Sequence, residues 1–215
     1  MGSERLILVG GGGFCRELFF WAADCVAAGT LPPMAGHLDD GGDQLSRLGY
    51  DLPWLGAIES FIPRAGDAFL LAIGSPQGKR IVHAKLSVRG GSFPRLIHPK
   101  TRVVATANVA EGVIFCPGSA AGPDTMIERF VTINTDSGLG HDARVGEFST
   151  LSSRVDLTGG VSVGRDVMIG SGAMFVPKVK IGDGATIGIG SVVYRSVAAG
   201  RTTYAAPAKT LKPAR

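Results

Sequence analysis

A single histidine, His141, sits beside an aspartate in the run Gly140-His141-Asp142. Histidine is the side chain that most readily exchanges a proton near neutral pH, so it can serve a reaction as base and then as acid. The alternative is an exposed corner histidine with no chemistry. A second candidate lies near the start. Four glycines, Gly10 to Gly13, follow the apolar run Arg5-Leu6-Ile7-Leu8-Val9. A glycine-rich turn that opens a helix presents main-chain N–H groups, and the positive end of the helix, to a phosphate. The third candidate is charge. From Lys178 onward there are seven basic residues and one acid, Asp183, so this segment carries +6 while the rest of the chain carries −2 of the net +4. Only Tyr194 and Tyr204 are there to stack on bases, which favours an anionic small ligand over nucleic acid.

The elements that must position these groups fall into two parts. The run 5–9 reads as a buried strand, 14–28 as a helix stopped by Gly29, 34–38 and 68–73 as further strands, and 77–88 as a second helix. Alternating strand and helix at this spacing predicts a small parallel α/β sheet over residues 1–92. The acidic pair Asp39-Asp40 and the Gly74-Ser75 step end its later strands. With Gly12, Gly13, Phe14 and Cys15 of the glycine turn, they are the expected substrate-binding residues. The spacing Gly10-x-Gly12-x-x-Cys15 lacks the third small residue of a dinucleotide fingerprint. Together with the shortness of the domain, this favours a single nucleotide. His98, before Pro99, reads as a structural linker residue.

From Val103 to Val193 an inward-type residue recurs every six positions. Fifteen of the sixteen are Val, Ile, Leu or Phe, and the other is Ala121. About one such residue in four is expected of an ordinary chain. Neither the helical period nor the strand period fits this spacing. It predicts a parallel β-helix over residues 93–200, three faces to a coil, with about five coils and glycines turning the corners. A tail, 201–215, is expected to leave the column, since Pro207 cannot join regular pairing.

The hexapeptide register, Ile133-Asn134-Thr135 ahead of Gly140-His141-Asp142, and the terminal Ala206-Pro207-Ala208-Lys209 resemble the hexapeptide-repeat acyltransferases. With the added α/β domain, the whole chain is similar to nucleotide-sugar N-acetyltransferases of the sialic-acid O-acetyltransferase-like family, GDP-perosamine N-acetyltransferases among them. The resemblance implies a left-handed column, a homotrimer with active sites between subunits, and transfer from acetyl-CoA to the 4-amino group of a UDP- or GDP-linked deoxysugar. O-acetylation of a related sugar is the alternative. It makes His141 the general base, Asp142 its acidic neighbour, and Asn134 a sugar contact. Many relatives have a second histidine near acetyl-CoA where this chain has Thr150, leaving one histidine for the chemistry. Ser171, Gly172, Ile189 and Gly190 fall where the pantetheine arm passes in relatives, and Lys209 is placed to meet CoA phosphate.

Other chemistries are poorly provided for. The γ-type carbonic anhydrases share such a column but bind zinc through three histidines, and the repeat offers one. Cys15, Cys25 and Cys116 have no metal or redox spacing and read as buried, reduced residues. No apolar run is long enough for a transmembrane helix or a signal peptide, so the expected setting is cytoplasmic, without membrane or nucleic-acid partners.

Overall fold

The computed structural model describes residues 4–207. At its N-terminal end, β1 (Arg5–Val9), β2 (Met34–Leu38), β3 (Trp54–Gly56) and β4 (Asp67–Leu71) form one parallel sheet in the order β3-β2-β1-β4. Helix α1 (Gly13–Ala27) buries Cys15, Leu18, Ala22 and Cys25, one stripe at helical spacing, and Gly29 ends it with φ 71°. Helix α2 (Pro76–Ser87) opens on Ser75, whose hydroxyl accepts the Gly78 N–H, with Pro76 at the first helical position. Strand β3 was not foreseen. It is three residues long and lies in an irregular stretch, where no periodicity can show.

The column that follows is a parallel β-helix with faces of five, six and seven two-residue strands. Residues 18 apart pair across coils, as Thr132 does with Thr150 and Thr150 with Met168. The six-residue series points inward, and its members from Phe115 to Val193 form one continuous buried core. The column is longer than the register suggested. Its first strand, Leu96–Ile97, lies one hexad earlier. Its last, Thr202–Thr203, pairs with Thr186–Ile187, so the chain past residue 200 still belongs to the sheet. That last step is 16 residues, 186 to 202, which breaks the period and hides the strand from a hexad count.

Glycine turns six of the corners, Gly118, Gly160 and Gly172 among them, and other residues turn the rest. The left-handed residue lies three past the inward one: Asp136, Asp142 and Phe148 have φ of 57°, 60° and 61°. The glycine directly after the inward residue serves close stacking instead. A Cβ on Gly140 would lie 2.8 Å from the nitrogen of Gly159, one coil on.

The α/β domain docks on the seven-stranded face. Cys15, Leu18 and Cys25 share a cluster with Leu96, Ile114 and Cys116 of that face. Beside it Phe130 and Phe148 stack at 5.0 Å, with His83 of α2 4.2 Å from Phe130. His98 is indeed structural. Its Nδ1 accepts the Lys100 N–H, so Nε2–H donates to the Asp24 carboxylate of α1 at 2.9 Å. The deepest tie is Lys79. Its fully buried Nζ donates to the carbonyls of Phe130 (2.8 Å) and Ser149 (3.1 Å) and to the Thr132 hydroxyl (3.2 Å).

Among the described residues no carboxylate contacts that ammonium. Burial draws the Lys79 pKa from 10.5 down to about 7, with Asp166 partly opposing. A lowered folded-state value means that the unfolded chain holds the extra proton between pH 7 and 10.5. Stability therefore rises with pH across that window and is lost as pH falls through 7. Relative to Lys79→Met, the wild-type chain should gain up to about 1.4 kcal/mol per pH unit between pH 7 and 9. Urea midpoints of both proteins at several pH values measure this; parallel curves would refute it.

Candidate active site

His141 follows a strand of the six-stranded face, at the edge shared with the five-stranded face. Two main-chain bonds pin the turn: the His141 carbonyl accepts the Gly160 N–H at 2.8 Å, and the Asp142 N–H donates to the Pro123 carbonyl at 2.9 Å. Held there, the imidazole Nδ1 lies 2.7 Å from the Asp142 carboxylate, and both side chains are largely exposed. A carboxylate only accepts, so Nδ1 carries the proton and Nε2 is left with a free lone pair. The ring rests against Gly159, where a Cβ would come within 2.3 Å of Nε2.

The N-terminal residues assemble a different place. A cleft of about 400 Å³ opens between the α/β domain and the column, walled by Gly13, Phe14, Arg16, Glu17, Phe20, Tyr50 and Gly74 on one side. Asn134, Thr150, Ser152 and Met168 form the other wall. Asn134 Oδ1 accepts the Thr135 N–H at 2.7 Å, which leaves its NH₂ for a ligand. Thr150 is buried, and its hydroxyl donates to the Gly74 carbonyl at 2.8 Å. It thus braces the junction beside Asn134. A second cavity of about 480 Å³ adjoins, lined by Gly11, Gly12, Gly13, Arg16, Asp39, Gln44 and Leu48. One Asp39 oxygen accepts the Gly41 N–H; the other lies so near Gly11 that a Cβ there would sit 2.9 Å from it.

Three expected ligand residues are placed otherwise. Asp40 lines neither cavity, and its carboxylate accepts the Glu59 N–H. The Cys15 side chain turns into the core, which pushes its thiol up to about 12, and its N–H is spent on the Gly12 carbonyl. Ser75 caps α2 and lines a third cavity, with Gln77, Arg80 and Met168.

Ser171, Gly172, Ile189 and Gly190 stack on the same edge as Asn134, two and three coils on. The Ser171 carbonyl accepts the Gly190 N–H at 2.9 Å, and the Ile189 side chain is exposed. Lys209 lies outside the described residues. Among those residues, no three metal-ligating side chains come together.

Sequence reasoning missed Arg16, Glu17, Phe20, Tyr50, Ser152 and Met168 in the cleft, and Gly159 beneath the histidine. Gly13, Arg16, Glu17 and Phe20 follow one helical stripe, and Ser152 and Gly159 lie 18 residues after Asn134 and His141. Those two periods were the available signal.

Residues 160–195 match the family described as bacterial transferase hexapeptide (six repeats). No curated protein matches the sequence. Solved structures similar to the chain include PerB from Caulobacter crescentus, in complex with CoA and GDP-perosamine. It is 28% identical, with a TM-score of 0.84 over 97% of each chain. The acetyltransferase domain of PglB from Neisseria gonorrhoeae is 24% identical, TM-score 0.84, over 97% of this chain and 100% of that one. WeeI from Acinetobacter baumannii is 24% identical, TM-score 0.83, with the same coverage. The resemblance to hexapeptide-repeat, left-handed β-helical sugar acetyltransferases therefore holds, and so does the expected fold class.

Gly159 carries a test of the geometry. Its backbone is one that any residue adopts, so Gly159→Ala should fold and melt within a few degrees of wild type. The atoms nearest the added methyl belong to the His141 ring, which can swing aside, so the His141 ring resonances should shift in NMR spectra. Unchanged ring resonances would show that the imidazole does not rest there.

Proposed function

We infer that this hexapeptide-repeat enzyme transfers the acetyl group of acetyl-CoA to the 4-amino group of a nucleotide-linked deoxysugar, with GDP-perosamine as the best candidate acceptor. The observation that carries the reading is the exposed His141–Asp142 pair, on a fold shared over its whole length with a structure holding CoA and GDP-perosamine. A form of the perosamine N-acetyltransferase with one histidine replaced by Asn has also been solved with both ligands. Among the described residues Glu17 is the one carboxylate on the cleft wall, which suits an amine acceptor.

The chemistry follows from what each group can do. The sugar nitrogen attacks the thioester carbonyl, and His141 Nε2 takes the proton it loses. Asp142, hydrogen bonded at Nδ1, holds the tautomer and steadies the imidazolium that forms. Collapse of the tetrahedral intermediate expels the CoA thiolate, and the imidazolium returns its proton to sulfur. The amide and free CoA are the products.

Within one chain the His141 edge does not border the seven-stranded face, whereas the cleft does. A threefold assembly that sets the His141 edge of one copy against the Asn134 edge of the next would join base and acceptor. This arrangement supports a homotrimer with active sites between subunits. In it, acetyl-CoA lies along Ser171, Gly172, Ile189 and Gly190, with Lys209 toward its phosphates.

His141→Asn should lower turnover by about 10²–10⁴ while nucleotide-sugar binding persists. Near-normal turnover would exclude the base assignment. Asp39→Ala should raise KM for the nucleotide sugar without changing that for acetyl-CoA, and Asp40→Ala should change neither. Steady-state kinetics with a panel of GDP- and UDP-linked 4-amino sugars and their hydroxyl analogues measures both. Transfer only to hydroxyl acceptors would overturn the amine reading.

A further inference from the structure

The cleft and the second cavity meet at a ridge made of two residues common to both walls, Gly13 and Arg16. Beyond the ridge on one side lie Asp39, Gln44 and Leu48; on the other lie Glu17, Tyr50 and Asn134. The Arg16 guanidinium lies over the ridge itself, 3.7 Å from where a Cβ on Gly13 would stand. Among the described residues it is the only cationic side chain lining either cavity. It is exposed and makes no ion pair or hydrogen bond among the described residues, whereas Arg5, Arg80, Arg129 and Arg165 are all paired with carboxylates. Two adjoining cavities of mixed polar and apolar lining, separated by one unpaired cation, fit a ligand with two bulky ends and an anionic joint.

We propose that Arg16 is the residue that holds the diphosphate of the acceptor, with the nucleoside in the Asp39 cavity and the sugar in the Asn134 cleft. This rests on the reading above that the acceptor is a nucleotide sugar. A planar guanidinium can grip two phosphate oxygens at once, which fixes the direction of the ligand as well as its affinity. Seated this way, the diphosphate sets how far the sugar reaches toward Asn134. Arg16 then acts on where the amine lies and takes no part in the proton transfer at His141.

The test is titration calorimetry of the full-length protein and its Arg16→Gln and Arg16→Lys variants with GDP, UDP and acetyl-CoA, each at low and high salt. Arg16 lies on the exposed side of α1, so the variants should keep the fold, as a melting curve verifies. Arg16→Gln is expected to weaken the preferred nucleoside diphosphate about 10- to 100-fold and to flatten its salt dependence. Arg16→Lys should recover part of the loss, and acetyl-CoA binding should stay unchanged. If wild type binds a diphosphate and Arg16→Gln binds it equally well, the inference is wrong while the acceptor reading stands. If the substitution weakens acetyl-CoA instead, Arg16 serves the donor and the inference is equally wrong. If wild type binds neither diphosphate, the acceptor reading fails and takes the inference with it.

Discussion

Everything in the column depends on one constraint: each coil must satisfy the main-chain groups of the next. Gly138 N–H donates to Val155, Val155 faces the core, and Asp156 N–H donates to Ala173 in turn. With two-residue strands there is no slack in that ladder. The repeat must be 18 residues, the inward residue must recur every six, and a residue near φ 60° must stand at each corner. At eight of those corners the residue is not glycine, at a cost of about 1–3 kcal/mol each that the paired coils on either side must offset. Asp142 is one of them.

Rigid coils turn sequence spacing into position. Residues 18 apart fall on one edge about 4.8 Å apart, so Asn134 and Ser152 share a wall, and His141 stands over Gly159. The cleft beside Asn134 arises where the α/β domain leans on the seven-stranded face. The contact is largely apolar and aromatic, around Phe130, Phe148 and His83, but Lys79 gives it register. Three acceptors from three separate residues surround one ammonium, and few relative placements of the two parts would satisfy them. Next to it the Thr150 hydroxyl on the Gly74 carbonyl closes the floor of the cleft. The same docking that costs a desolvated cation thus makes the wall against which a sugar can be held.

The division of charge follows from this layout. The proposed base, His141, lies on an exposed edge beside the Asp142 carboxylate, and the cation of Arg16 lies between the domain cleft and the second cavity. One chain holds them on different sides of the column. In the proposed threefold arrangement, proton transfer and substrate holding are separate within the protomer and meet across copies.

Sequence alone determined the periodic features. The six-residue series specified the inward face because the two residues of each short strand point to opposite sides, one of them into the column, and the strand–glycine–helix order specified the first βα unit. His141-Asp142 was legible because adjacency in sequence is enough to pair them. Tertiary structure decided whatever depends on contact between distant segments. It spent Asp40 on Glu59, turned Cys15 into the core, and made Thr150 a brace on Gly74. It also brought Arg16, Tyr50 and Asn134 around one cleft, although Asn134 lies more than a hundred residues beyond Arg16. A local pattern records which side of an element is buried; which buried or exposed side meets another is set only when the domain packs on the column.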